Sequence, residues 1–521
     1  MQVTTPSSHL EAILNQGIAH YRQHRLPEAE DCAREVIAAE AGHPGALQLL
    51  GLIALDSGYP EESLGLLQKA QAAQPNDPLI QISLSNCLIQ LKRLPEALAQ
   101  IEHALVLAPD QLIALNLAGI LYQETQQPDK AASMFNRALA LQPGSAELQY
   151  NLAVLLQKQG KYKEALHSSA KLLQIQPEHL EALNNRGVIY QELGELDKAQ
   201  RDFSAVLTRK PDHGEAHFNL GVLKILRAQL PEGWDDYEWR WDCPAMERKT
   251  YGLPRWQGQA LSESQRLLVH ADAGFGDSLQ FVRYLLTPDC PQPLVLLCQD
   301  ALVPLLRVQN WPFEIVSDLA PLPEGLAYEF PLLSFPALRR TTPATIPLAG
   351  PYLSAPVAGP RLPQQSADYR LRVGFVWAGS PDNAIDLKRS CQLKHFFKLM
   401  RQSEDVYWVS LQKGKRLDEA GELPPANAWD AAPLLHDFGD TAALVAQLDL
   451  VIAVDTSVVH LAAAMGRPTW VLLPMIPDWR WFLDRDDSPW YGCVRLFRQP
   501  ERNGWKQVFR QVERALASFR V

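Results

Sequence analysis

The 521-residue sequence lacks several features that would assign it to a class at once. No apolar run reaches the roughly 18 residues that a membrane span needs. The opening segment MQVTTPSSHLEAILNQ has no basic stretch followed by an apolar core, so we expect no secretory signal. Basic residues are also in deficit, since the formal net charge is −10. A nucleic-acid partner is therefore not expected, because binding to phosphates requires a basic face.

Cysteines are few and scattered along the chain. The seven cysteines include no C-x-x-C pair. An odd number of isolated cysteines is neither a disulfide framework nor a zinc site, and it fits the reducing cytoplasm, where we expect the protein to act. Buried structural thiols are the expected role.

Tryptophan is absent from the first 233 residues, because all thirteen tryptophans lie at Trp234 or later. This change in composition predicts a domain boundary near residues 235–260. A chain of this length is expected to form roughly two to four domains.

A period of 34 residues runs through the first half. Small residues recur in two series, and prolines recur in a third, at Pro75, Pro109, Pro143, Pro177 and Pro211. The first small series is Ala29, Ser63, Ala97, Ala131, Ala165, Ala199 and Gly233, and the second is Gly17, Gly51, Ser85, Gly119, Ala153, Gly187 and Gly221. This layout resembles the tetratricopeptide repeat (TPR), in which paired helices cross closely at the small residues. We predict a superhelical array over residues 9–240, with six repeats and a partial seventh that starts at His213.

Asparagines share one register of three first helices, at Asn151, Asn185 and Asn219. In this repeat family that register lines the concave groove, where an amide can bind a peptide backbone. The pattern resembles the ladder of the protein O-GlcNAc transferases over three repeats, but Leu117 and Ser83 hold the earlier positions. The alternative is a solvated helix face.

The second half alternates apolar strands with helices. The predicted strands are RLLVHA, PLVLL, FEIV, LRVGFVWA, VYWVSL, LDLVIAV and PTWVLLP. Continuous apolar strands between helices indicate βαβ units and parallel sheets covered on both faces. The Pro/Gly-rich stretch 348–370 separates two lobes, which gives a linker over 241–264, a first α/β lobe over 265–360 and a second over 361–521. This layout resembles the GT-B arrangement of many sugar-nucleotide transferases, which implies that the first lobe is the acceptor side and the second the nucleotide-sugar side. The predicted class is α plus α/β in the GT-B layout, with a final amphipathic helix that packs back across the lobes.

Four loops follow predicted strands and are expected to open into a cleft between the lobes. The first, AGFGD, contains Gly274, Gly276 and Asp277. It lacks the third glycine of a dinucleotide fingerprint and the Gly-Lys-Ser/Thr of a P-loop. The functional interpretation is a close approach to an acceptor with an acid beside it, and the alternative is a plain turn.

The second and third loops carry cations. In WAGSPDNAIDLKRS (377–390), Gly379 and Ser380 form a candidate anion nest, while Lys388 and Arg389 supply two positive charges. Lys413 directly follows the strand VYWVSL. The alternative for these side chains is a solvated pair.

The fourth loop, AVDTSVVHLAAAMGRP (453–468), ends a strand at Asp455 and starts a helix at Thr456 or Ser457. Free amides at that helix start are a ready site for a diphosphate. His460 lies one turn further on, so its side chain can lean toward the same anion. The alternative is a satisfied core histidine.

These segments resemble the heptosyltransferase-like family of GT-B glycosyltransferases, in the variant fused to TPRs in bacterial proteins. The resemblance covers residues 230–515 and rests on YEWRW, LPRWQG, HADAGFGDSLQF, VWAGSPDN…RS, SLQKG, VDTSVVHLAAAMGRPTWVLLP and PDWRWFLDRDDSPWY. It implies that Asp277 is the catalytic base and that Lys388, Asp455, Thr456 and His460 hold the donor's diphosphate and sugar. Leu387 stands where the fused variant commonly has arginine.

The aromatic run DWRWFLDRDDSPWY has two interpretations. Trp479, Arg480 or Trp481 lines the sugar pocket, or the tryptophans fill a core while Asp484, Arg485 and Asp487 pair with one another.

The resulting hypothesis is an inverting glycosyltransferase that uses no metal and no other cofactor, since no Asp-x-Asp motif ends a suitable strand. Its co-substrate is a nucleotide-sugar, and its acceptor is a Ser/Thr hydroxyl of a protein bound by the repeats. By family analogy that protein is flagellin or another surface protein. Repeats of this kind often self-associate, so a homo-oligomer is a further expectation. The alternatives are a transferase with a glycan or lipid acceptor and an inactive scaffold, which Leu387 favours.

Overall fold

The structure is a computed structural model that describes residues 6–244, 246, 248–348, 350–364, 368–381, 386–414 and 427–520. The chain divides into two compact units, Met1–Ile189 and Tyr190–Val521. The division falls inside the repeat region, earlier than the change in tryptophan content. Among the described residues, none of the helices combines the length and the apolar character needed to cross a membrane.

The first unit is built from successive helix pairs. The helices are α1 (Pro6–Arg22), α2 (Leu26–Ala39), α3 (Pro44–Asp56), α4 (Pro60–Ala73), α5 (Pro78–Gln90), α6 (Leu94–Leu107), α7 (Leu112–Glu124), α8 (Pro128–Leu141), α9 (Ala146–Lys158), α10 (Tyr162–Ile175) and α11 (Leu180–Glu192), the last of which ends just inside the second unit. Proline occupies the first turn of several of them, where the missing N–H has no intrahelical partner to lose.

Small residues stand where paired helices cross, as the 34-residue period predicts. A Cβ at Gly119 would overlap the ring of Phe135, which is buried on α8. A Cβ at Gly51 would lie 2.7 Å from Cγ of Leu67 on the following helix. The crossing is therefore as close as a backbone without a side chain permits.

The second unit begins with the last repeat helices. They are α12 (Leu196–Arg209), α13 (Gly214–Leu226) and α14 (Leu230–Tyr237), followed by a 3-10 turn over Glu238–Asp242. Gly221 and Gly233 let α13 and α14 cross closely, since a Cβ at Gly233 would lie 2.6 Å from Ile225. The repeat pattern therefore continues into the unit that carries the α/β lobes.

The segment predicted as a linker, 241–264, is attached to the first lobe. Arg255 forms a parallel bridge with Glu329, and the Trp256 N–H donates to the Glu329 carbonyl at 2.9 Å. Trp256 is buried against Phe330 and Phe335. This part of the linker extends the edge of a sheet.

The first lobe contains a four-stranded parallel sheet in the order β3-β2-β1-β4. Its strands are β1 (Arg266–His270), β2 (Leu294–Cys298), β3 (Glu314–Ser317) and β4 (Leu326–Pro331), and its helices are α15 (Phe275–Phe281), α16 (Val303–Arg307) and α17 (Phe335–Leu338). The strands β1 and β2 are almost entirely buried, as expected for a sheet covered on both faces.

The second lobe contains a six-stranded parallel sheet in the order β10-β9-β8-β5-β6-β7. Its strands are β5 (Leu371–Val376), β6 (Val406–Ser410), β7 (Ala428–Asp430), β8 (Leu450–Val454), β9 (Thr469–Leu473) and β10 (Val494–Arg498). Its helices are α18 (Asp386–Arg389), α19 (Lys394–Arg401), α20 (Phe438–Val445), α21 (Ser457–Ala464) and α22 (Trp505–Ser518).

The final helix, α22, packs on α19 and β10 of the second lobe. Its buried residues Val508, Phe509 and Val512 join the core beside β5 and β6. These contacts all lie in the second lobe, whereas the sequence predicted a helix that packs back across both lobes.

The two lobes meet through α15 and α21, which contact each other. Each of these helices follows a central strand, β1 or β8, so their first residues lie at the carboxyl ends of the sheets. Parallel sheets place their ligand sites at these ends. The sequence-predicted loops are thereby brought to one cleft.

Candidate active site

A cavity of about 780 Å³ lies at the carboxyl ends of the strands. Its volume falls within the range of about 300–1,000 Å³ that is usual for small-molecule sites. Most of the predicted site residues line it, namely Gly276, Asp277, Gly379, Ser380, Arg389, Lys413, Asp455, Thr456, Ser457 and His460. Three helices, α15, α20 and α21, start at its wall. Helix starts favour anions through the helix dipole, although the Asp440 N–H of α20 already donates to Asp437 Oδ1.

Asp277 lies in the first turn of α15, and its carboxylate is held by two partners. Oδ2 accepts from the Gly274 N–H at 2.9 Å, which caps the helix. Oδ1 forms an ion pair with the Arg480 guanidinium. Burial raises the pKa of the Asp277 carboxyl, and Arg480 opposes that rise. A buried acid with a raised pKa is what a general base at neutral pH requires.

Arg480 is a residue for which the sequence left two roles open, and its pairing with Asp277 was not predicted. It lines the cavity with one guanidinium nitrogen on Asp277 and the other 2.6 Å from Oδ1 of Asp478. Its guanidinium carbon lies 4.0 Å from the centroid of the Trp479 ring. The density of aromatic and charged residues in DWRW was the available signal. Trp479 and Trp481 are buried and Arg485 pairs with Asp487, as the structural interpretation of that run predicts, while Arg480 lines the cavity and its role toward a sugar stays a prediction.

The close approach at Gly276 is to His460. A Cβ on Gly276 would lie 2.9 Å from Cδ2 of His460 and 3.5 Å from Cα of Ser457. Glycine at this position therefore allows α15 to pack against the start of α21. The backbone at Gly276 was predicted to contact an acceptor, and here it meets the opposite lobe.

His460 is buried and held in a fixed orientation. Its Nδ1 lies 3.0 Å from the Tyr491 hydroxyl, and its ring stacks on Trp481 at 5.4 Å. Nε2 lies 3.9 Å from Oδ1 of Asp455. Burial and, secondly, the nearby Arg480 lower the pKa of His460 well below its ordinary value. The neutral imidazole is thus the stable form at pH 7, able to donate one hydrogen bond.

Asp455 and Thr456 present polar groups at the start of α21. Burial, reinforced by the Asp478 carboxylate, raises the pKa of Asp455 to about 6. The Thr456 hydroxyl is buried and has no hydrogen-bond partner within the described residues. An unsatisfied buried hydroxyl beside a helix N-terminus is a good candidate for a ligand contact.

The first three residues of the loop after β5 use their amides within the protein. The N–H groups of Trp377 and Ala378 lie 3.2 and 3.1 Å from Oε1 of Gln412, and the Gly379 N–H donates to Ser390 Oγ at 3.0 Å. The predicted anion nest at Gly379 is therefore filled in part by the protein itself. Arg389 lies over Gly379, and its Nε has no hydrogen-bond partner in the described part of the chain.

Lys388 does not line the cavity. Its ammonium pairs with the Glu192 carboxylate at the end of α11, a contact inside the second unit. Arg389, its neighbour, takes the position at the cavity wall. Lys413 does reach the wall, but its ammonium donates to the His436 carbonyl at 3.1 Å. The side chain of Leu387 and residues 382–385 lie outside the described residues.

None of the three predicted asparagines is among the described residues that line this cavity. Asn151 donates to Asn116 Oδ1 at 2.9 Å, and Asn116 in turn donates to Glu147 at 2.6 Å. Asn185 lies on α11 in the first unit, and Asn219 lies on α13 in the second. Both are half-buried.

Within the described residues, no three His, Cys, Asp or Glu side chains are grouped to hold a metal ion. The seven cysteines are all free, and most of them are buried, in agreement with the role expected from their scatter.

Family comparisons match both parts of the chain. Tetratricopeptide-repeat models match residues 14–78, 78–143 and 144–212, and the model described as glycosyltransferase family 9 (heptosyltransferase) matches residues 390–472. The last range contains β6, β8 and α21, which form one side of the cavity. The fold and these matches together define a TPR protein with a GT-B-like α/β region.

The chain therefore contains tetratricopeptide repeats and a glycosyltransferase family 9 (heptosyltransferase) domain in its C-terminal half. It is similar to Protein FlbA of Caulobacter vibrioides, with 25% identity over 501 residues that cover 90% of this chain and 78% of FlbA. It is also similar to the uncharacterized protein y4yS of Sinorhizobium fredii, with 30% identity over 128 residues, which is 23% of this chain and 70% of that protein.

Solved structures resemble the chain over smaller parts. Pseudomonas aeruginosa PilF gives a TM-score of 0.37 at 17% identity, covering 40% of this chain and 94% of PilF. YrrB, titled a TPR protein with an unusual peptide-binding site, gives 0.32 at 21% identity, covering 35% of this chain and 95% of YrrB.

Proposed function

We propose that the protein is an inverting, metal-independent glycosyltransferase that moves a sugar from a nucleotide-sugar to a Ser/Thr hydroxyl of a protein acceptor. The observation that carries the proposal is the cavity itself. In it a half-buried carboxyl with a raised pKa, Asp277, forms an ion pair with a half-buried arginine, Arg480. The start of α21, with the unsatisfied Thr456 hydroxyl, lies on the same wall.

The proposed site for the donor's diphosphate is the α21 N-terminus together with Arg389 and Arg480. A helix start supplies directed N–H groups, and a guanidinium supplies paired donors for phosphate oxygens. Charge accumulates on the diphosphate as the bond to the sugar breaks, so preorganised donors lower the barrier. The neutral His460 adds one hydrogen bond from Nε2 without adding charge.

Asp277 is the proposed base. It takes the proton of the acceptor hydroxyl while that oxygen bonds to the anomeric carbon, and the bond from this carbon to the diphosphate oxygen breaks. The ion pair with Arg480 restrains Asp277. An incoming diphosphate competes for the same guanidinium, so donor binding loosens the restraint on the base. We therefore expect the donor to bind before the acceptor.

The repeats support a protein as the acceptor. Tetratricopeptide repeats are stacked helix pairs that present extended surfaces to protein partners. Asn151 joins a chain of side-chain hydrogen bonds with Asn116 and Glu147, which is a polar strip of the kind that binds a peptide backbone.

A thermal-shift panel with nucleoside diphosphates and their sugar conjugates tests the donor site. A ligand at a hundred times its Kd stabilises the folded state by about 2.7 kcal/mol. We expect a shift with one nucleotide class, and we expect Arg389→Met to abolish it. The control is Arg495→Met, which removes an exposed arginine on β10. An absence of shifts across the panel would favour an inactive scaffold instead.

A further inference from the structure

The last helix pair of the repeat region lies directly behind the candidate active site. Helix α13 contacts the 3-10 turn Trp479–Trp481. On α14, Trp234 meets Trp479 edge to face, with ring centroids 5.3 Å apart, and Tyr237 packs on the same ring at 5.6 Å. Both repeat side chains are buried. Trp479 therefore rests on the repeat region.

Trp479 in turn supports Arg480. The Arg480 guanidinium lies 4.0 Å from the centroid of the Trp479 ring, and it reaches past that ring to Asp277. Asp478 holds the start of this turn, since its Oδ1 accepts from the Arg480 N–H at 3.0 Å. The guanidinium is thus held on one face by an aromatic ring that also contacts Trp234 and Tyr237 of the repeat region and, at 6.1 Å, Phe281 of α15.

A second contact connects the repeat end to the loop that carries Asp277. Arg240, in the turn after α14, stacks on Tyr237 at 4.9 Å and lies 3.2 Å from Oδ2 of Asp272. Asp272 belongs to the loop between β1 and α15, and its Oδ1 accepts from the Leu333 N–H at 3.1 Å. The repeat end therefore touches both segments that supply the Asp277–Arg480 pair.

We propose that Trp234 and Tyr237 are positioning residues of the active site, which hold Trp479 and, through it, Arg480 against Asp277. The last repeat is on this account part of the catalytic machinery and not only a partner-binding surface. The inference rests on the proposed function, because it assigns Asp277 the role of base.

The test uses the full chain with Trp234→Ala, Trp234→Phe and Tyr237→Leu. Trp408→Ala is the matched control, since Trp408 is fully buried on β6 among Phe375 and Phe396 and does not line the cavity. The readout is the pH profile of kcat/KM for release of nucleoside diphosphate from the nucleotide-sugar. A merely structural defect lowers the amount of folded enzyme but leaves that profile in place.

The charged groups that face Asp277 are Arg480, Asp478 and Asp272. If Arg480 shifts away, the remaining neighbours are acidic, so the acidic limb of the profile moves to higher pH. We expect Trp234→Ala to move it by about one pH unit, and we expect kcat to fall about 10²-fold. Trp234→Phe keeps most of the wild-type pH profile and most of the wild-type kcat, because it keeps a ring against Trp479. Tyr237→Leu gives a smaller change in the same direction, and it serves as the test if Trp234→Ala does not fold.

Two outcomes overturn the inference, and they are distinguishable. An active wild type whose limb does not move in Trp234→Ala or Tyr237→Leu removes the positioning role alone. A wild type that releases no nucleoside diphosphate from any nucleotide-sugar removes the proposed function as well.

Discussion

Replacing Arg480 by methionine removes the positive charge that pairs with two half-buried carboxylates, Asp277 and Asp478. The side chains of Asp277 and Asp478 are 18% and 19% exposed, and that of Arg480 is 12% exposed. Methionine fills a similar volume, so the main effect is electrostatic. Two carboxylates then face each other in a poorly hydrated site without a counter-ion.

The expected loss is about 3 kcal/mol at pH 8. Breaking a buried ion pair by removing one partner typically costs about 3–5 kcal/mol. The partial exposure of both carboxylates places this site at the lower end of that range. The loss shrinks as the pH falls toward 5, because burial already raises the pKa of Asp277 and removal of Arg480 raises it further. A protonated Asp277 no longer needs the arginine.

Urea unfolding followed by tryptophan fluorescence measures this loss in the right part of the molecule. All thirteen tryptophans lie at Trp234 or later, and the second compact unit starts at Tyr190. The fluorescence transition therefore reports on the unit that carries the ion pair. A double-mutant cycle with Asp277→Asn isolates the pairwise energy.

We expect a coupling energy of about 1–3 kcal/mol between Arg480 and Asp277 at pH 8. Arg495→Met is the matched control, with an expected change within about 0.5 kcal/mol. Additive single effects, or an Arg480→Met loss that is equal at pH 8 and pH 5, would refute the assignment of this pair.

Two further predictions follow from individual contacts. The pKa of Asp455 rises from 3.8 to about 6 on folding, so at about 1.4 kcal/mol per pKa unit the folded state loses about 3 kcal/mol between pH 4 and pH 8. Asp455→Asn removes this titration, so its midpoint of thermal unfolding should rise relative to that of wild type as the pH rises through 6. An equal difference between the two midpoints at pH 4 and pH 8 would contradict this prediction. A Cβ at Gly276 would lie 2.9 Å from His460, so Gly276→Ala should destabilise the second unit by about 1–3 kcal/mol. The control Gly350→Ala, in the same unit and with open space around it, should change stability little in the same urea experiment.

The repeat period and the strongly apolar strands could be predicted from the sequence because they are local patterns. Strands β1, β2, β3, β5, β6, β8 and β9 all fall on apolar runs that the sequence marks. The missed strands carry weaker patterns. Strand β4 (LAYEFP) contains Glu329 and ends in proline, β7 has three residues, and β10 (VRLFR) contains two arginines. Their pairing with central strands decides their conformation, and pairing is a long-range property.

The site residues that lie just after strands were also predictable, since parallel sheets collect such loops at one edge. The partners within the site were not. Arg480 and Asp277 are 203 positions apart in the chain, and Lys388 and Glu192 are 196 apart. No local signal tells which acid a given cation will meet. The resemblance implied that Lys388 binds the donor. In the structure Arg389 lines the cavity instead, and Lys388 pairs with Glu192 on the repeat helix α11.

The most direct test of the central claim compares the release of nucleoside diphosphate by wild type, Asp277→Asn and Asp449→Asn. Asp449 is the matched control, because it precedes β8 and so lies at the end of the sheet opposite Asp455. Its Oδ2 accepts a hydrogen bond from the Arg372 N–H at 2.7 Å. We predict turnover of one nucleotide-sugar by wild type and Asp449→Asn, and a loss of about 10²–10⁴-fold in Asp277→Asn with the thermal shift by the donor retained. A fully active Asp277→Asn would contradict the account.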